Sequence, residues 1–71
     1  MSEMTPSEMS KIQHFLRTKF ETDRINVVAR KTDDSAEVHL GGEFIGVVYK
    51  DEEDGDVSYD FNMAILDIDL Q

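Results

Sequence analysis

From Arg24 onward, apolar and polar residues alternate with a period of two, and this pattern limits the possible folds more than any other feature. Successive side chains of a β-strand point to opposite faces of the sheet, so such runs predict strands with one buried face. Short polar or glycine-containing segments separate the runs. The alternation predicts four antiparallel strands, at residues 24–30, 35–40, 43–50 and 57–68.

The residues before the strands follow a helical period instead. Apolar side chains three or four positions apart form one stripe, made of Met9, Ile12, Leu16 and Phe20. Thr5 and Glu8 have the spacing of a capping box, and Pro6 occupies the first helical position, where an N–H is not needed. We therefore predict a helix over residues 6–20, with Met4 and Met9 as a hydrophobic staple and with Lys11, His14 and Arg17 on the far side.

The turns set the expected register of the sheet. Burying the apolar sets of the first two strands together pairs Ala29 with Ala36, Val27 with Val38 and Ile25 with Leu40. Gly41-Gly42 suits a two-residue hairpin whose residues need positive φ. This hairpin predicts His39 opposite Phe44, Val38 opposite Ile45 and Ala36 opposite Val47. Phe44 and Val48 then lie on the other face, and Gly46 indicates a bulge or a close backbone approach.

Five acids and one glycine fill the segment from Asp51 to Asp56, and three interpretations compete for it. A calcium loop with Gly55 at its sixth position would place Lys50 at the first ligand position and Phe61 at the last, so the EF-hand motif fails. Carboxylates on an exposed hairpin tip lack the burial that catalytic carboxylates need. A three-residue turn ending at Gly55 is favoured over a two-residue turn, because it pairs the large residues Tyr49 with Tyr59, Val47 with Phe61, and Ile45 with Met63.

The phase of the alternation slips near the end of the last predicted strand, at Ile65-Leu66. Either a β-bulge there returns Leu66 and Ile68 to the helix-covered core, or the strand runs straight and leaves them exposed on the other face. In the second case Phe44, Val48, Leu66 and Ile68 form an apolar contact surface. The tail from Ile65 to Leu70 is also a candidate for edge-to-edge pairing.

Composition excludes several classes of function. A chain of 71 residues predicts one small domain, residues 1–71, with an α+β fold in which one N-terminal helix packs on a four-stranded antiparallel meander. The absence of cysteine and of an apolar segment long enough to span a membrane points to a cytoplasmic protein. The net charge of -9 argues against nucleic acid and membrane partners. Residues 32–71 carry twelve acidic residues and one basic residue, so a protein partner is expected to be basic.

The segments "SAEV", "GEFIGV", "DEEDGD" and "MAILDIDL", with the preceding helix, resemble a family of short acidic alphaproteobacterial proteins catalogued as a domain of unknown function. The resemblance covers nearly the whole chain. It implies a bacterial cytoplasmic protein and supplies no activity, cofactor or site residue.

The sequence therefore predicts a non-catalytic protein-interaction module without a cofactor, with self-association as a homodimer as one form of that function. The alternative is a protein that binds a small molecule or a divalent cation. Such a ligand would use the acids of residues 51–56 or a pocket near His39, where Glu37 and Glu43 are close in sequence.

Overall fold

The computed structural model describes residues 4–32, 34–53, 55–63 and 65–70 of the chain. The elements follow in the order α1 (Pro6–Lys19), β1 (Ile25–Ala29), β2 (Ser35–Leu40), β3 (Glu43–Glu53), β4 (Asp56–Met63) and a terminal 3₁₀ helix (Asp67–Leu70). The four strands form one antiparallel sheet in the order β1-β2-β3-β4, so every strand lies beside its neighbour in sequence. The predicted α+β fold, an N-terminal helix followed by a four-stranded meander, is confirmed.

Helix α1 begins at the predicted capping box. The Glu8 N–H donates to Thr5 Oγ1 at 3.1 Å, and the Thr5 N–H donates to Glu8 Oε1 at 3.0 Å, so two of the free N–H groups at the helix start are satisfied. One prediction for this helix is wrong. Arg17 does not lie on the far side but reaches β1, where its Nε donates to the Ile25 carbonyl at 2.7 Å.

The core lies between α1 and one face of the sheet. Its buried apolar side chains are Met4, Leu16, Ile25, Val27, Ala36, Val38 and Val48, and Met9, Ile12, Ile45 and Phe61 pack against them. The predicted pairing of the first two strands is confirmed, since Val27 lies opposite Val38. The Gly41-Gly42 turn is confirmed too, with φ of +60° and +86°, values that glycine adopts without steric cost.

Because of a β-bulge at Ile45, the observed register of β2 and β3 differs from the predicted register. His39 lies opposite Phe44 as predicted, but Val38 lies opposite Gly46, so Ile45 is an extra residue in β3. The predicted pairs of Val38 with Ile45 and of Ala36 with Val47 are wrong. The bulge sits beside the glycine that the sequence marked. A Cβ on Gly46 would lie 2.4 Å from the Asn62 carbonyl oxygen, so the backbones approach too closely for a side chain.

The bulge reverses the two faces of the rest of β3, because one extra residue changes the phase of the alternation. Val48 is buried with 1% exposure, whereas Tyr49 is 41% exposed on the other face. The predicted pairs of β3 and β4 are therefore wrong, and Tyr49 lies opposite Asp60 while Val48 lies opposite Phe61. Glu53 lies opposite Asp56, which leaves two residues between the strands. This is the register expected for a two-residue turn at Asp54-Gly55, the alternative that the hydrophobic pattern disfavoured. Asp54 lies outside the described residues.

Strand β4 ends at Met63, so the predicted strand over residues 57–68 is too long. Its last pair is Met63 with Gly46, next to the bulge that interrupts β3. The tail instead forms local hydrogen bonds. The Leu66 N–H donates to Asp69 Oδ2 at 3.0 Å, and the Asp69 N–H donates to the Leu66 carbonyl at 2.9 Å. Both predicted strand geometries at Ile65-Leu66 are therefore wrong. The tail is not a strand in the structure, whereas the predicted edge pairing requires one.

Candidate functional site

Helix α1 covers only one face of the sheet, and we call the other side the open face. Alternation along the paired strands assigns its members, because paired residues in an antiparallel sheet project to the same side. The register places on it Asn26, Val28, Ser35, Glu37, His39, Phe44, Val47, Tyr49, Asp51, Glu53, Asp56, Ser58, Asp60 and Asn62.

The centre of the open face is apolar. Phe44 is 54% exposed, Val28 and Tyr49 are each 41% exposed, and Val47 is half-buried between them. A shallow depression of about 320 Å³ lies here, lined by Phe44, Val47, Tyr49 and Met63 among others. Large apolar side chains that remain exposed side by side are typical of contact surfaces.

The charges around this apolar centre have one sign. Five carboxylates belong to the open face, those of Glu37, Asp51, Glu53, Asp56 and Asp60. Among the described strand residues the single lysine or arginine is Lys50, and it projects toward α1. The open face is therefore both apolar and strongly negative.

His39 is held at the edge of this surface. Its Nε2 lies 2.9 Å from Glu37 Oε1, and its ring meets the Phe44 ring edge-on, with centroids 5.8 Å apart. A predicted alternative was a ligand pocket beside this histidine. An apolar groove of about 350 Å³ lies on the opposite side of the sheet, under α1.

The four residues predicted as a contact surface are not brought together. Phe44 lies on the open face as expected. Val48 is buried in the core, so its predicted exposure is wrong, and the bulge places Val47 and Tyr49 on the open face instead. Leu66 and Ile68 are 59% and 71% exposed, but they belong to the tail after β4 and not to the sheet. The signal that could have found Tyr49 was Gly46, which marked the bulge.

A second apolar surface is the groove between α1 and β4, with a volume of about 350 Å³. Its lining is mostly apolar and consists of Lys11, Ile12, Phe15, Leu16, Val48, Tyr59 and Phe61. Phe15 stands 60% exposed at its rim. Sequence reasoning missed this groove, because Phe15 falls outside the main apolar stripe of the helix.

Helix α1 and its C-cap residue, Phe20, make two further contacts with β4 beside this groove. The Phe20 and Phe61 rings pack with centroids 6.3 Å apart, and the Tyr59 hydroxyl donates to the Glu8 carboxylate. Lys50 Nζ also lies 2.8 Å from Glu8 Oε2, so Glu8 joins the helix start to β3 and β4. The hydrogen bond from Lys50, with those from Thr5 and Tyr59, lowers the pKa of Glu8 to about 2. The same contact with Glu8 raises the pKa of Lys50 and of Tyr59.

The acidic segment does not form a compact cluster of ligands. Alternation sends Asp51 and Glu53 to the open face and Glu52 to the helix side. Within residues 4–32, 34–53, 55–63 and 65–70, no three histidine, aspartate or glutamate side chains are placed to hold a metal ion.

Comparisons with known proteins identify the family without naming an activity. Among the described residues, the helices are too short or too polar to cross a membrane. No curated protein and no solved structure matches the chain. A family model described as "Protein of unknown function (DUF3126)" matches residues 8–69, from the capping-box glutamate to the terminal 3₁₀ helix. The match covers most of the 71 residues, so the chain belongs to the DUF3126 family.

Proposed function

We propose that this protein is a non-catalytic interaction module that binds a basic segment of another protein on its open face. The observation that carries the proposal is the combination of exposed Phe44 and Tyr49 with five carboxylates on that face, where the described strand residues include no lysine or arginine. Exposed aromatic residues supply apolar contact area, and charges of one sign select a partner of the opposite sign.

Affinity and selectivity would come from different parts of the surface. Phe44 and Tyr49 would be desolvated at the centre, as the residues that dominate interface energies usually are. Asp60 would act at the rim, where charges mainly raise the association rate and exclude acidic partners, whereas Glu37 lies between Val28 and Val47 within the centre. Binding should therefore weaken as salt is added, because screening shortens the range of charge interactions.

A second copy of the chain is a poor occupant of the open face. Two such faces would bring ten carboxylates together without a lysine or arginine from the strands to compensate them. Like charges placed opposite each other are destabilising, so this surface favours a heterologous partner. We place the module in a bacterial cytoplasm, as the family resemblance implies, and the lack of cysteine is consistent with a reducing compartment.

The test is an NMR titration of the full chain with a synthetic peptide of alternating lysine and leucine, with an alternating glutamate and leucine peptide as control. We expect shifts in the amide signals of Val28, Phe44 and Tyr49, and saturation that weakens between about 50 mM and about 500 mM salt. Shifts spread evenly over all acidic segments, including Asp67 and Asp69, would refute a specific site.

A matched pair of variants separates the open face from apolar exposure in general. F44S/Y49S removes two exposed aromatic residues from the open face, and F15S removes one from the helix side. We expect at least a tenfold loss of affinity for the lysine–leucine peptide with F44S/Y49S and little change with F15S. Equal losses in both variants would contradict the proposal.

The groove under α1 supports a second candidate function. Its volume of about 350 Å³ and its apolar lining suit a small apolar molecule, in line with the predicted alternative of a small-molecule binder. A hydrophobic dye such as anilinonaphthalene sulfonate is a suitable probe. Saturable dye binding that F15S abolishes and F44S/Y49S leaves intact would favour this function over the first.

A further inference from the structure

The helix covers the two edges of the sheet, β1 and β4, to different extents. On β1, the outward Val27 N–H donates to Gln13 Oε1 at 2.9 Å, and the outward Ile25 carbonyl accepts from Arg17 Nε at 2.7 Å. Side chains of α1 thus satisfy two of the backbone groups that an edge strand otherwise offers to another chain. The helix therefore covers part of the β1 edge.

The β4 edge has no comparable cover from the helix. Glu53 and Asp56 flank the hairpin turn and exchange hydrogen bonds, so alternate residues along β4 direct their N–H and C=O groups outward. These residues are Val57, Tyr59, Phe61 and Met63. Between the described residues, no hydrogen bond from α1 reaches the backbone of β4. The contact between Glu8 and β4 is made with the side chain of Tyr59.

Strand β4 has few of the devices that usually protect an open edge, and its charged residues are Asp56 and Asp60. It is eight residues long, contains no proline or lysine, and pairs with β3 without a register shift. Three of its outward-bonding residues have exposed apolar side chains, with Val57 at 49%, Tyr59 at 40% and Met63 at 54%. An edge of this kind favours pairing with another strand.

We propose that β4 pairs antiparallel with β4 of a second copy, with Tyr59 on the two-fold axis, to form a dimer with one eight-stranded sheet. Self-complementarity selects this partner. With Tyr59 opposite Tyr59, Ser58 lies opposite Asp60 of the second copy and Asp56 lies opposite Asn62, so each carboxylate meets a hydrogen-bond donor. On the helix side, Val57 lies opposite Phe61, an aromatic and β-branched pair.

Charge excludes a neighbouring register. If Asp60 lay on the axis, it would face Asp60 of the second copy, and directly opposed like charges destabilise a strand pair. If Phe61 lay on the axis, Asp60 would face Asn62, but fewer residues of β4 would overlap than in the register centred on Tyr59. The register centred on Tyr59 therefore combines a long overlap of the two β4 strands with a pairing in which no two carboxylates lie directly opposite each other.

The net charge of -9 on each copy opposes association, so added salt should strengthen the dimer.

This dimer does not depend on the proposed binding of a basic partner. A two-fold axis perpendicular to the sheet leaves both open faces exposed on the same side. The two proposals also have opposite salt dependences, since salt should weaken the binding of a basic peptide and strengthen the dimer. Either can therefore fail without the other.

The test is disulfide crosslinking between two single variants of the full chain, which has no cysteine of its own. Residues 58 and 60 of the two copies would form a non-hydrogen-bonded pair, with Cα atoms about 4.5 Å apart, within the range for a disulfide. Mixed S58C and D60C should form a covalent dimer under mild oxidation. Each variant alone should react far more slowly, because like positions would lie about 7–8 Å apart.

The background rate comes from a mixture of S10C and D60C, since Ser10 is exposed on α1 and not on the β4 edge. Melting curves of all three variants confirm that they fold. Faster crosslinking of D60C alone than of the mixture of S58C and D60C would overturn the Tyr59 register. Crosslinking at the background rate, with sedimentation of the unmodified chain as a monomer at about 1 mM and high salt, would overturn the dimer.

Discussion

Val47 and Val48 are adjacent valines of β3 that lie on opposite faces of the sheet, and together they test the bulge at Ile45. Val48 is 1% exposed and packs in the core, whereas Val47 is half-buried on the open face. Without the bulge their positions would be exchanged. Replacing each by alanine therefore reports which one faces the helix.

The expected magnitudes follow from burial. Val48→Ala removes two buried methyl groups, which costs about 1.6 kcal/mol in lost transfer free energy, and the remaining cavity raises the total to about 2–3 kcal/mol. Val47→Ala should cost about 1 kcal/mol or less, because its methyl groups are only partly removed from water. Any loss of strand propensity is similar in the two variants and cancels in the difference.

Urea denaturation followed by circular dichroism measures both free energies of unfolding, and thermal melts provide a second reading. For a domain of this size, each kcal/mol lowers Tm by about 4–8 °C, so Val48→Ala should lower it by about 10–20 °C. A cost for Val47→Ala equal to or larger than that for Val48→Ala would refute the bulged register and the open face built on it.

Three further predictions concern the bulge glycine, the turn glycine and the capping glutamate. Gly46→Ala should cost about 2–3 kcal/mol, because its Cβ would lie 2.4 Å from the Asn62 carbonyl oxygen in the fixed backbone of β4; a neutral result in urea denaturation would show that the strands do not approach so closely. Gly55→Ala should cost about 1 kcal/mol, because Gly55 has φ of +82° but open space around its Cα, and a cost above that of Gly46→Ala would reverse the argument. The folded-state pKa of Glu8, about 2, lies below its ordinary value of 4.5, so its carboxylate stabilises the fold fully above about pH 4.5 and this contribution is lost as the pH falls toward 2. The stability difference between the unmodified chain and Glu8→Gln, measured by melting at several pH values, should shrink over that range, and a difference that stays constant would contradict the role of the ionised carboxylate.

Features that depend on neighbouring residues could be predicted from the sequence. The capping box of Thr5 and Glu8 needs only residues three apart, and the Gly41-Gly42 turn needs only two residues that accept positive φ. The pairing of β1 with β2 followed correctly from alternation, because no bulge interrupts it. These local signals were enough for the order of elements and for the fold class.

The candidate site was predicted only in part. Phe44 was placed on the exposed face correctly because it precedes the bulge. Val48 follows the bulge, so the same alternation assigned it to the wrong face. For the same reason Tyr49 was not predicted to lie on the open face. The groove under α1 was not predicted, because its walls come from the helix and from β4, which are far apart in sequence.

By itself, the sequence determined where the chain turns, where the helix begins and which runs form strands, because propensity, capping and glycine geometry act over a few residues. Tertiary structure alone decided which face each residue of β3 after the bulge presents and where β4 ends. At Gly46 the backbone of β3 approaches β4 too closely for any side chain, and at Ile45 one extra residue fits before the ladder resumes. Both depend on atoms that meet only when distant strands pack, and alternation within a single strand carries no information about them.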